Sequence, residues 1–166
     1  MQKQPWPPRG LAIMEQDLDA LADAVRNRPT SRTDDEQTWL TKLLVVRTVG
    51  FLEQVVAETV RQHIREKSGG TVKSFALTWM ARSRNPSIDN MTDVIGRLDA
   101  TKQDELGVLL DADDQRLRRE LGLLVTRRHE IAHGLDGGLG HQKALALIED
   151  VKLVTAWFED ALDPRS

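Results

Sequence analysis

Residues 127–134 read Arg127-Arg128-His129-Glu130-Ile131-Ala132-His133-Gly134 and bring two of the chain's four histidines next to two arginines and a glutamate. Imidazole both takes and gives a proton near neutral pH, which suits acid–base chemistry. His129 and His133 are four residues apart, so on a helix their rings lie on one flank. Laid on a helical wheel, the segment from Gln115 to Gly134 gathers Leu117, Leu121, Leu124, Val125, Ile131 and Ala132 into one apolar stripe, with Arg128 in its middle. A guanidinium keeps its charge, and burying it unpaired costs roughly several kcal/mol. Arg128 therefore requires an acidic partner such as Glu53 or Glu58, a wet cavity, or a protein or phosphate ligand. A structural salt bridge satisfies the same requirement, and His133 beside a glycine also serves as a plain helix-terminal cation.

Arg128 and His133 are five residues apart and diverge by about 140° on a straight helix. Either the helix distorts near Ala132 or a second copy of the chain completes the site. A two-fold axis across the Arg128 face is the natural solution, so a homodimer with a composite site is expected.

His129-Glu130-Ile131-Ala132-His133 also spells H-E-x-x-H, in which two histidines hold zinc and the glutamate activates a bound water. Glu149 or Glu159 would then supply the third ligand. Three features oppose that alternative. No strand is visible to hold a substrate beside the motif, Glu149 points away from the apolar stripe of its own helix, and Arg128 brings positive charge to the proposed cation. No metal and no cofactor are expected.

Helices must position these groups. The second helix spans about Asp35 to Lys67, capped by Asp34 or Asp35 and closed at Gly69-Gly70, with Leu40, Leu43, Leu44, Phe51, Leu52, Val55, Val56 and Val60 at helical spacing. A shorter helix precedes it, from about Ile13 to Arg26. Short helices over Lys73–Ala81 and Ile88–Leu98 flank a loop at residues 82–87, and the stretch between Leu98 and Asp111 receives no element. Asp111 to Asp114 introduces the site helix, about Gln115 to His133, and a glycine-rich turn at residues 135–140 follows. The last helix, about His141 to Leu162, carries Ala144, Ile148, Val151, Thr155, Phe158 and Leu162 on its inner face. The expectation is an all-α bundle: one helical domain over residues 11–166 behind a flexible, proline-rich tail at residues 1–10.

Bulk properties agree with one domain. The chain has 166 residues, 40% hydrophobic and 30% charged, which suits a packed core. It contains no cysteine, which removes disulfides, thiolate metal sites and cysteine nucleophiles. No apolar run approaches a membrane span and the N-terminus lacks a signal-like core, so a cytoplasmic location is expected. The net charge of −3 argues against a protein that coats nucleic acid by bulk charge, not against one that meets RNA at a local basic patch. Trp79, Arg82, Arg84 and Asn85 combine aromatic and basic character and are a candidate recognition surface.

With its neighbours, the string from Leu124 to Gly134 resembles the Arg-Arg-Asn-Glu-Ile-Ala-His-Gly form of the HEPN superfamily of helical ribonucleases, with His129 where asparagine is commonest. Arg128 and His133, four residues between them, match the family's arginine followed by histidine. Phe51 to Glu58 resembles the upstream acidic, apolar helix of its RiboL-PSP-HEPN (MAE-like) branch, and the likeness extends from Trp39 to Leu162. The resemblance implies a dimeric bundle of four to six helices and a metal-independent endoribonuclease acting on RNA. In such an enzyme the 2′-OH attacks the adjacent phosphate and leaves a 2′,3′-cyclic phosphate and a 5′-OH. His133 would move the protons, Arg128 would stabilise the phosphorane-like charge, and His129 would orient the arginine or bind phosphate. Arg127 and Arg119, with Arg116 and Arg118, would supply local positive charge for the substrate. Some members of the superfamily do not cut and serve as nucleotide-binding or dimerisation modules, which is the second alternative. Others belong to toxin–antitoxin or antiviral systems, which implies an antitoxin or defence partner protein.

Overall fold

The computed structural model describes residues 5–82, 87–135 and 138–166. Among them six helices follow one another: α1 (Arg9–Arg26), α2 (Asp34–Lys67), α3 (Gly70–Arg82), α4 (Ile88–Leu98), α5 (Ala100–Ala132) and α6 (His141–Ala161). Among the described residues there is no strand, and no helix is long and apolar enough to cross a membrane.

α2 is the central rod. Its start is set by Thr33 rather than by Asp34 or Asp35: the Thr33 hydroxyl accepts from the Glu36 N–H, and the Glu36 carboxylate accepts from the Thr33 N–H at 2.8 Å. This reciprocal box satisfies two backbone donors that a helix N-terminus leaves open. Leu44, Val45, Val49, Leu52, Val55 and Val60 of α2 are buried. Three buried threonines, Thr41, Thr48 and Thr59, donate their hydroxyls to the carbonyls of Gln37, Leu44 and Val55 one turn back, so no hydroxyl is stranded in the core. α1, α5 and α6 all pack against α2. The α6 residues Ala144, Ile148, Val151, Thr155, Phe158 and Leu162 are all buried, as their spacing predicts.

The structure departs from the sequence expectation at two further places. α1 begins at Arg9, and the segment before it is not simply a loose tail: Trp6 is half-buried and its indole N–H donates to the Glu159 carbonyl at 2.9 Å. The stretch between Leu98 and Asp111 is helical, capped by Asp99, whose carboxylate accepts from the N–H groups of Thr101 and Lys102. Leu106 and Leu110 of this segment are buried, as are Met91, Val94 and Ile95 of α4, which packs against α5. Asp111 to Asp114 does lie where the site helix begins, as its sequence predicts: α5 consists of two helical arms divided by a kink there. Ala112 is extended (ψ 155°), and Asp113, Asp114 and Gln115 take left-handed values (φ 52°, 55° and 60°).

Candidate functional site

The second arm of α5 runs from the kink to Ala132 and carries the site residues. Leu117, Leu121 and Leu124 are buried, Val125 and Ile131 are half-buried, and Ala132 is exposed. The apolar stripe thus leaves the core after Leu124, and Arg128 is not sealed within it: its side chain is 41% exposed. It reaches α2, where its Nη2 lies 3.9 Å from the Glu53 Oε1. That is ion-pair distance but too long for a hydrogen bond, and a part-solvated pair of this kind contributes less than about 1 kcal/mol. The guanidinium is held beside α2 with donors left for an anion. Glu58, the other expected partner, pairs with Arg61.

The arm ends cleanly, without distortion before Ala132. His133 is the C-cap, Gly134 has φ 72°, its N–H donates to the Ile131 carbonyl, and the Leu135 N–H donates to the Glu130 carbonyl at 2.9 Å. This is the Schellman closure, in which glycine supplies the left-handed residue without a Cβ penalty. It holds His133 one turn from His129, with ring centroids 4.3 Å apart and planes tilted by 56°, both side chains exposed. The pairing of imidazoles expected from the spacing is present. The helix end does not, however, turn His133 onto the face from which Arg128 reaches Glu53.

Arg127 is held within its own helix. Its Nη1 donates to the Glu130 Oε2 at 2.7 Å, while its Nε is buried without a partner. Glu130 is therefore engaged as an arginine partner; its three-residue separation from Arg127 is the signal in the sequence for this role. The other arginines lie elsewhere. Arg119 is exposed at the kink, where it contacts Asp114, nine residues and about 14 Å along the helix from Arg128. Arg118 pairs with Asp111 at 2.7 Å. Arg116 bonds Asp150 of α6 at 2.6 Å, and this hydrogen bond and charge raise the pKa of its guanidinium further. The basic patch expected over 116–119 is thus matched by aspartates. The structure pairs His129 with His133, directs Arg128 to Glu53 and Arg127 to Glu130 on the same helix end, and leaves Arg119 apart.

The third ligand required by the zinc alternative is not in place. Among the described residues no group of three or more His, Cys, Asp or Glu side chains is arranged to hold a metal ion. Glu149 is exposed on α6, and Glu159 feels Glu15 of α1. Of the candidate recognition surface, Trp79 is half-buried with the Arg97 guanidinium 5.0 Å from its ring centroid. Arg84, Asn85 and the side chain of Arg82 lie outside the described residues.

A family model described as RiboL-PSP-HEPN matches residues 14–163, nearly the whole chain. No curated protein and no solved structure matches it.

Proposed function

The chain belongs to the RiboL-PSP-HEPN family, and on that premise we propose that it is a metal-independent endoribonuclease whose site is the C-terminal end of α5. The observation that carries this reading is the pair of exposed imidazoles 4.3 Å apart at the end of a helix that also carries, on another face, a guanidinium held only loosely by Glu53. The 2′-OH of RNA attacks the neighbouring phosphorus, the P–O5′ bond breaks, and the products are a 2′,3′-cyclic phosphate and a 5′-OH. His133 moves protons between the reacting oxygens, Arg128 stabilises the negative charge gathered on the phosphoryl oxygens, and His129 binds phosphate or orients the arginine. Arg127 adds positive field at the same helix end. Because Arg128 and His133 leave the helix on different faces, the reading includes a homodimer in which two copies of the motif meet. A toxin or antiviral effector held in check by a partner protein in the cytoplasm fits such an activity.

The test is incubation of the wild type, Arg128→Ala and His133→Ala with total RNA in excess EDTA. Cleavage by the wild type that persists in EDTA, with 5′-OH ends, and falls about a hundred-fold or more in either variant is the expected result. Cleavage lost in EDTA and restored by zinc refutes metal independence. RNA left intact under every condition refutes catalysis and leaves a dimerisation or nucleotide-binding module.

A further inference from the structure

At the turn between α1 and α2 a hollow of about 450 Å³ opens to solvent, lined by Pro29, Ser31, Arg32, Glu36, Trp39 and Leu40. Trp39 is 69% exposed, so its indole does not serve the core, and the Lys42 ammonium stands 5.2 Å from the ring centroid. The other walls are fixed. Arg32 donates from Nη1 to the Ala24 carbonyl at 2.6 Å and to the Gln37 Oε1 at 2.9 Å. Asp34, at the start of α2, pairs with Arg28 at 2.7 Å. Glu36 accepts from the Thr33 N–H and hydroxyl through Oε2 alone, which leaves Oε1 as an acceptor. The same bonds from Thr33 hold its carboxyl below the usual range, so it stays ionised.

An exposed indole with a cation over its ring and a carboxylate held at its edge are parts that can recognise an unpaired base with N–H donors, stacked on the ring face away from the cation. Guanine presents two adjacent donors, N1–H and N2–H, to such a carboxylate. The hollow is also placed for the substrate strand. Trp39 and Glu53 lie fourteen residues apart on α2, within about 40° of one face and about 21 Å along the axis. Arg47 is exposed between them. A strand with its phosphate at Arg128 reaches the hollow within the roughly 4–16 nucleotides of ordinary single-strand sites.

We propose that the hollow beside Trp39 is a subsite for an unpaired guanine base of the RNA strand, stacked on the indole and read by the Glu36 carboxylate. This rests on the ribonuclease reading and adds base selection at a distance from the cut. The same face of α2 carries Leu43, 47% exposed, and half-buried Val46, a surface that a second copy of the chain would cover instead.

The experiment separates these cases without requiring cleavage. Uncleavable 2′-O-methyl oligonucleotides, all-uridine or with a single guanosine, are titrated into His133→Ala protein while tryptophan emission is followed. Expected are quenching and about ten-fold tighter binding for the guanosine strand, both lost in a His133→Ala, Trp39→Ala double variant. Glu36→Gln in the same background keeps the capping box, since glutamine also fills it, and removes only the guanosine preference. Equal binding with and without Trp39 overturns the proposal. So does a dimer that becomes a monomer on Trp39→Ala, by sedimentation, with oligonucleotide binding per chain unchanged; that result assigns the face to the second copy. Guanosine-selective binding by a wild type that cuts nothing refutes catalysis and leaves the subsite standing.

Discussion

Arg128 and Glu53 show how a single separation sets what a side chain can do. A bidentate pair at hydrogen-bond distance would occupy the guanidinium; at 3.9 Å, with Arg128 41% and Glu53 27% exposed, the carboxylate positions the cation and competes only weakly with a phosphate. Glu159 is a contrasting residue, because its surroundings act against its charge. Burial first, and the neighbouring Glu15 second, raise its pKa. With the folded pKa above the unfolded one, the two states bind the proton equally below the unfolded value. As pH climbs from there to the folded value the unfolded chain ionises first and stability falls, and the full cost persists above it. Glu159→Gln is therefore expected to raise Tm at about pH 7.5 by only about 1–2 °C, since solvent screens a part-exposed group. The gain should vanish near pH 4, where both states are protonated; a gain of the same size at both pH values in thermal melts would refute this account of the residue.

At the scale of the element, α5 is decided by its two ends and its kink. Three successive residues without glycine hold left-handed φ at Asp113, Asp114 and Gln115, a conformation that aspartate tolerates and glutamine does not favour. Arg118 to Asp111 ties one side of the kink to the other, Arg119 contacts Asp114 within it, and Arg116 to the buried Asp150 fixes the second arm on α6. At the far end Gly134, at φ 72°, closes the helix and sets the position of His133. Opposite outcomes are expected from two substitutions read by urea unfolding. Gln115→Gly stabilises by about 1 kcal/mol through relief of the left-handed strain, net of the extra chain entropy. Gly134→Ala destabilises by about 1 kcal/mol for the reverse reason. A destabilising Gln115→Gly would refute strain at the kink, and a neutral or stabilising Gly134→Ala would refute the left-handed cap.

At the scale of the whole molecule the question is how Arg128 and His133 come to one phosphate. Within one chain Arg128 extends to α2 while His133 caps the helix beside His129. If two chains complete each site, a mixture of Arg128→Ala and His133→Ala proteins regains activity that neither has alone. Random exchange makes half the dimers mixed, and each mixed dimer holds one intact site of two, so about a quarter of wild-type cleavage is expected. A mixture as inactive as its parts, in protein that sedimentation shows to be dimeric and exchanging, places both residues in one chain.

The core of α6, the length of α2 and the pairing of His129 with His133 are legible in the sequence because each depends on spacing along one helix. Ala144, Ile148, Val151, Thr155 and Phe158 recur at helical intervals and need no other element to identify their face. The first arm of α5 is harder to read, because Leu106-Gly107-Val108-Leu109-Leu110 is a short apolar run, and which of its residues are buried depends on α4 packed against them. The basic run at 116–119 reads as a patch until the fold sets Asp111, Asp114 and Asp150 against it. Arg128 is the clearest case. Its place in an apolar stripe and its need for an acidic partner follow from the residue pattern. That the partner is Glu53, and that the stripe opens to solvent before reaching it, depends on where a second helix passes, which only the tertiary structure decides.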